Sequence, residues 1–194
     1  MPRTNDSRER TVRAAAALIS ARGVAGTGLR EVVTTAGTPR GSLSHHFPGG
    51  KDELVVEAVL WTAGRLEARL RTLADADPPA TVPDVLRLST TWWEKGLLAV
   101  DFTGGCAVAA TVMDAAVQDT DVRNAVSRAF QSWLDPIARI AAADGVPAPL
   151  DRQFAVMTVA SIEGALLLCR ANASLEPLHD VEASLLRLAA ALRA

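Results

Sequence analysis

The sequence predicts an all-α fold, and three observations carry that prediction. No segment alternates apolar and polar residues with period two, and tyrosine is absent. Apolar residues recur instead at i, i+3, i+4 and i+7, which lays them along one stripe of a helix. Clusters of Gly, Pro and Asp punctuate these runs at helix-length intervals. With 194 residues and 49% hydrophobic content, the chain can bury a sizeable core.

The first helix is predicted from about Ser7 to Arg22, with Val12, Ala15, Ala16 and Ile19 on one face and Gly23 as a left-handed stop. The second covers Leu29 to Ala36 and stops at Gly37. The third opens at Thr38-Pro39, a hydroxyl cap followed by proline, and ends near Phe47-Pro48-Gly49-Gly50. A longer helix starts near Lys51, with Asp52 and Glu53 in the first turn where the helix dipole favours carboxylates. It fades at Asp75 to Pro79. The next spans about Pro83 to Val100 and ends in Asp101-Phe102-Thr103-Gly104-Gly105. A helix from Cys106 to Gln118 is apolar nearly all round, which predicts a central position. Asp119-Thr120-Asp121 caps another that reaches Ala143, and Asp151 begins one reaching about Asn172. Pro177 separates that helix from a last one, Leu178 to Leu192. The expected architecture is a three-helix domain over residues 1–50 and a six-helix domain over residues 51–194.

Composition narrows the function. The polar start lacks the apolar stretch of a signal peptide, and no uninterrupted apolar run has the length of a spanning helix. Cys106 and Cys169 sit in apolar surroundings, as thiols in a reduced cytoplasm do, and no His/Cys spacing suggests a metal. No metal, cofactor or membrane is therefore expected. Residues 1–51 hold eight basic and three acidic residues, a balance of +5, whereas the remainder carries −7. A basic head on an acidic body suggests an anion-binding head.

Two short helices joined by a tight glycine turn form a helix-turn-helix arrangement, Leu29 to Ala36 and then Thr38 to Phe47. Only Leu43 and Phe47 of the second helix are bulky and apolar, enough to dock it. Thr38, Arg40, Gly41, Ser42, Ser44, His45 and His46 are small, polar or basic, a surface able to enter a major groove.

Residues 8–60, above all Gly41-Ser42-Leu43-Ser44-His45-His46-Phe47-Pro48-Gly49-Gly50-Lys51-Asp52-Glu53-Leu54, resemble the DNA-binding domain of the tetracycline-repressor (TetR) family. Arg30-Glu31-Val32-Val33 and Ala36-Gly37 stand at the matching distances upstream. Ser44 departs from the pattern, since the family usually has a tyrosine there that touches the DNA backbone. Phe102-Thr103-Gly104-Gly105-Cys106-Ala107-Val108-Ala109 and Ile162-Glu163-Gly164-Ala165-Leu166-Leu167-Leu168 are similar to segments of the LmrA/YxaF-like subgroup. The resemblance implies a homodimer, a palindromic double-stranded DNA operator and a helical body whose ligand controls DNA affinity. It also implies a multidrug-like or flavonoid-like aromatic effector and repression of neighbouring genes. By the same resemblance Arg40 and Ser42 face base edges, and Thr38, His45 and Lys51 hold phosphate. Thr27 or Gly28 caps the second helix near the DNA backbone, and Pro39 and Ser44 belong to the same surface. For His46, packing at the domain junction and a DNA contact both stand open.

The last two helices are too apolar for a solvated surface. Ile162, Glu163, Gly164, Leu166, Leu167, Leu185 and Leu188 are the residues expected at a four-helix interface between two subunits. Bulky side chains among alanines can leave a cavity, so Trp92, Trp93, Phe102, Met113, Trp133, Phe154 and Met157 are the candidate ligand contacts. Thr111, Asp114, Thr158 and Ser161 are the polar groups available to orient a small hydrophobic or phenolic effector. An enzyme and a helical ligand carrier with no DNA role are the rival readings. Against an enzyme, no Ser or Cys has a His and carboxylate at hand, and no glycine-rich phosphate loop occurs. Against the carrier stands the basic head.

Overall fold

A computed structural model describes residues 3–114 and 119–193. Among the described residues the chain forms nine helices and no strand. They are α1 (Arg3–Arg22), α2 (Leu29–Ala36), α3 (Arg40–His46), α4 (Gly50–Ala74), α5 (Val82–Ala99), α6 (Ala107–Val112), α7 (Thr120–Ala143), α8 (Leu150–Asn172) and α9 (Glu176–Leu192). The all-α class and the order of helices match the sequence expectation. The boundaries differ in four places, the first being α1, which begins at Arg3 rather than near Ser7. α3 begins two residues later than Thr38, and Pro177 lies inside the first turn of α9, where no N–H is needed. α6 ends at Val112, so the helix predicted to Gln118 is shorter, and residues 115–118 lie outside the described residues.

The chain divides into two compact units, Met1–Ala63 with Cys106–Ala129, and Gly64–Gly105 with Phe130–Ala194. The first unit thus reaches beyond residue 50 along α4 and takes in α6 and the start of α7. In this unit α1 buries Val12, Ala15, Ala16 and Ile19 and packs on α2, which buries Val32, Val33 and Ala36. Spacing of three and four residues puts each set on one face. α2 stops because Gly37 adopts φ +61° and gives its N–H to the carbonyls of Val33 and Thr34, after which Thr38 N–H also bonds Val33 O. That left-handed turn sets the entry into α3.

The α1–α2 turn is held from outside. Asp114, just past α6, accepts the Ala25 N–H on Oδ2 at 2.8 Å. Gly23 has φ +74°, and a Cβ there would meet Asp114 Oδ2 at 2.5 Å. α6 packs on α1 and buries Ala107, Val108 and Thr111 in this unit, while Val112 and Met113 are exposed.

In the second unit α9 packs on α8 and α5 around Val82, Leu86, Ala141, Val146, Phe154, Leu185 and Ala189. Polar staples tie the edges of this bundle. Asp144 accepts the Val82 N–H at 2.9 Å and pairs with Arg193 at 2.5 Å, and Thr90 donates to Glu182 at 2.9 Å. α8 is long and apolar enough, by length and composition alone, to cross a membrane. One side of it is nevertheless core, burying Phe154, Ala155, Thr158, Ile162, Ala165, Leu166 and Cys169.

Candidate functional site

α3 has seven residues, fewer than the roughly 12–15 an isolated helix needs to persist in water. Pro39 is its N-cap and offers no side-chain hydrogen bond. The Thr38 hydroxyl does not cap it either. Thr38 is buried, with Oγ1 lying 3.4 Å from Thr11 Oγ1 of α1. Docking falls to Phe47, which is 1% exposed, and to half-buried Leu43. The opposite side is open, with Pro39, Gly41, Ser44 and His45 exposed and Ser42 half-buried. The hydroxyls of Ser42 and Ser44 donate back to the carbonyls of Pro39 and Gly41, which leaves their lone pairs facing outward partners. Arg40 opens the helix, but its side chain lies outside the described residues.

Around this helix the expected phosphate contacts sort into two groups. Lys51 lies half-buried in the first turn of α4, and Gly28 is the exposed N-cap of α2. Thr27, in contrast, is buried and donates its hydroxyl to Gly23 O at 2.7 Å, so with Thr38 its side chain is engaged within the protein. His46 is half-buried, its ring edge-on to Phe47 at 6.4 Å between centroids. Two cations escaped the sequence reading. Arg13 of α1 and Arg30 of α2 are exposed and, among the described residues, have no ion-pair partner. The signal for both was the surplus of positive charge in the head.

Within the second unit a cavity of about 20 Å³ is lined by Leu66, Leu70, Ser89, Trp93, Trp133, Ile137, Val159, Ile162 and Glu163. It is the size of one water, far below the roughly 300–1,000 Å³ of a drug-sized site. Trp93 meets Trp133 edge-on at 6.3 Å, and Phe130 meets Trp133 at 5.6 Å. Of the expected ligand residues, Trp93 and Trp133 come together here. The others are elsewhere. Trp92 lies under the guanidinium groups of Arg65 and Arg69, at 5.1 and 5.0 Å from its ring centroid. Phe154 belongs to the α5–α8–α9 core, and Thr111 is buried in the first unit, donating to Ala107 O. Phe102 is half-buried in a left-handed loop, while Met113 and Met157 are 82% and 50% exposed. The lining that sequence missed has a simple signature. Leu66 and Leu70, Ser89 and Trp93, and Trp133 and Ile137 are three pairs spaced four residues apart on α4, α5 and α7. The Thr158 hydroxyl is fully buried and, among the described residues, has no hydrogen-bond partner.

Both cysteines are buried. Burial pushes the Cys169 thiol up, outweighing the Leu178 N–H that favours thiolate.

The outer side of α8 carries an apolar stripe, with Val156, Met157, Leu167 and Leu168 about half exposed or more. Ala160 and Gly164 fall on the same stripe by helical spacing. Of the residues expected at a subunit interface, Leu167 is on this surface and Glu163, Gly164 and Leu188 are half-buried. Ile162, Leu166 and Leu185 are a correction, since the protomer's own core buries each to 4% exposure or less. A helix apolar all round gives no sign in sequence of which stripe faces inward.

Comparison with known proteins places this arrangement. Residues 12–58 match the family model for bacterial regulatory proteins of the tetR family. Residues 84–184 match that for the LmrA/YxaF-like transcriptional regulator C-terminal domain. An uncharacterised HTH-type transcriptional regulator of Mycobacterium tuberculosis is 35% identical over 186 residues, covering 93% of each chain. The HTH-type regulator LmrA of Bacillus subtilis is 26% identical, over 91% of this chain and 93% of that one. Among solved structures, a TetR regulatory protein from Rhodobacter sphaeroides superposes with TM-score 0.81 at 25% identity, covering 93% of this chain and 97% of that one. Regulators of this family bind DNA, act as dimers and are not enzymes. The chain belongs to the TetR family of bacterial transcriptional regulators, in its LmrA/YxaF-like group.

Proposed function

We propose that the chain is a cytoplasmic, cofactor-free repressor that binds a palindromic operator as a homodimer and is released by a small hydrophobic or aromatic effector. The observation that carries the effector is the aromatic cavity, in which Trp93 and Trp133 stand beside Ser89 and Glu163. Flat apolar walls with few polar groups suit a planar, largely apolar or phenolic guest. The unpartnered Thr158 hydroxyl on α8 is a further candidate to orient it. A cavity of about 20 Å³ must widen to admit such a guest. A ligand that binds only the widened form binds one conformation better, and so shifts the equilibrium toward it. α4 joins the two ends of the switch, since it carries Lys51 in its first turn and Leu66 and Leu70 at the cavity.

The palindrome follows from the apolar stripe on α8. Two copies that cover it on each other form an isologous pair, and two-fold symmetry puts the recognition helices in successive major grooves about 34–36 Å apart. Arg40 has the chemistry to read guanine O6 and N7, and Lys51 at a helix N-terminus suits a phosphate. Arg40→Ala should cost about 1–3 kcal/mol and relax selection at one position per half-site.

The test is a titration of aromatic compounds against protein and its upstream intergenic DNA, reading tryptophan fluorescence and DNA release together. Quenching with a 5–150-fold loss of DNA affinity is expected, about the usual range of coupling between sites. Val159→Phe, which fills the cavity, should abolish the response and leave DNA binding intact. Quenching that saturates while the DNA stays bound would sink the switch.

A further inference from the structure

We infer that Arg8 is a positioning residue for the recognition helix: it pins the C-terminal end of α3 to α1 and α4 and does not itself contact DNA. The inference rests on reading α3 as the helix that enters the groove. The Arg8 guanidinium lies over the Phe47 ring, 5.3 Å from its centroid. The same group pairs with Glu57 of α4 at 3.0 Å. Arg8 thus holds three elements at one point, because a planar guanidinium can stack on a ring and bond a carboxylate together. A lysine ammonium has no flat face to stack, so it would hold the ring less well while pairing with the carboxylate.

Phe47 is where such a pin has most leverage. It closes α3 by donating its N–H to Leu43 O at 2.8 Å, and its carbonyl accepts the Gly50 N–H at the start of α4. Its ring meets His46 edge-on, and His46 meets exposed His45 at 5.1 Å. One turn along α1 from Arg8, Thr11 faces Thr38 just ahead of α3. Positions 8 and 11 share a face of α1, so that helix grips α3 at both ends. A seven-residue helix without a side-chain cap has little else to fix its tilt.

The experiment uses the full-length dimer and a duplex that the wild-type protein enriches from random-sequence DNA, with a scrambled duplex as control. Affinities are read by anisotropy across a salt series. Arg8→Lys, and Arg8→Gln combined with Glu57→Gln, should each lose up to about tenfold on the enriched duplex, between what exposed and desolvated cation–π contacts support, as suits a side chain 38% exposed. Binding to the scrambled duplex and the salt slope should stay unchanged, since no phosphate contact is lost. Phe47→Leu keeps apolar bulk without a ring; it should reproduce the loss, and combining it with Arg8→Lys should add little. A slope reduced by about 0.9 for each lost contact makes Arg8 a phosphate ligand and overturns the inference. So does full affinity on the enriched duplex, or recovery in the charge-neutral double variant. Failure of the underlying reading looks different, because the wild-type chain would then enrich no sequence.

Discussion

α3 and α8 each present a face that solvent alone does not explain, and they stay folded by opposite means. α3 is seven residues long, has no side-chain cap, and depends on Phe47, Leu43 and the grip of α1. α8 has 23 residues and seven buried side chains of its own. A surface that reads DNA must be small and polar, so it cannot stabilise its own helix and has to be held from behind. A surface that pairs with a copy is apolar and costs its helix nothing. The contrast explains why the head borrows its rigidity from contacts scattered along the chain.

The largest effect that tests this contrast comes from two adjacent residues of α8. Leu167 is 61% exposed and Leu166 is 2% exposed. If two copies pair through this stripe as proposed, Leu167→Glu would bury an unpaired carboxylate between them and should weaken the dimer by about 3–5 kcal/mol. Sedimentation should then show the 20.4 kDa protomer, still folded, with operator binding lost. Leu166→Ala should instead lower protomer stability by about 2–5 kcal/mol and leave the assembly state alone at low temperature. If both variants behaved alike, the inward and outward faces of α8 would be misassigned.

What the sequence disclosed follows the same division. Punctuation by Gly23, Gly37 and Pro48, together with apolar spacing, was enough to order the helices, because those signals are local. The motif around α3 pointed to the proposed reading surface for the same reason. What stayed hidden depends on distant partners. Thr38 looks like a cap until Thr11 is brought beside it, 27 positions away. Trp92 and Trp93 are equivalent in sequence, yet one faces Arg65 and Arg69 and the other the cavity. Asp114 reads as a ligand contact, but its carboxylate serves a backbone N–H 89 positions back.

That last contact gives the next effect in size, and it probes how the head is held. Gly23→Ala imposes a left-handed conformation on a residue with a Cβ and drives that Cβ to 2.5 Å from Asp114 Oδ2. A loss of about 1–3 kcal/mol is expected in thermal melts. Asp114→Ala alone should cost about 1 kcal/mol, the value of one hydrogen bond, and speed amide exchange at Ala25. Combined, the two should cost less than their sum, because the clash disappears with the carboxylate. Strict additivity would mean that a Cβ at position 23 does not meet the Asp114 carboxylate, and no cost for Asp114→Ala alone would mean that Asp114 does not hold the turn.

A smaller effect with opposite signs separates folding from pairing on α8. A Cβ at Gly164 meets nothing within 4 Å in the protomer. Gly164→Ala should therefore raise protomer stability by up to about 1 kcal/mol through helix propensity. If a partner helix approaches closely there, the same methyl weakens the dimer. A higher melting midpoint for the protomer together with a weaker dimer is the expected pair of results. A dimer strengthened in parallel would place the close approach elsewhere on the stripe.

The smallest effect falls on the body's own capping, the feature α3 lacks. At the start of α5, Asp84 accepts from the Thr81 hydroxyl at 2.6 Å and from the Thr81 N–H at 3.0 Å. The hydroxyl first, then the N–H, hold this carboxyl below its ordinary 3.8, against a minor opposing push from burial. The sign follows directly. A carboxyl whose folded value is depressed stabilises the fold above its unfolded value of about 3.9, and loses that contribution as pH falls through the folded value. Asp84→Asn should therefore melt slightly below wild type from neutral pH down to about pH 4. The two curves should merge in stronger acid. Asp84 is solvent-exposed, so the gap is small, and operator affinity at neutral pH should not change. A gap that widened on acidification would mean that the protonated carboxyl is the form the cap holds. The depressed pKa would then have the wrong sign, and α5 would be as dependent on distant support as α3.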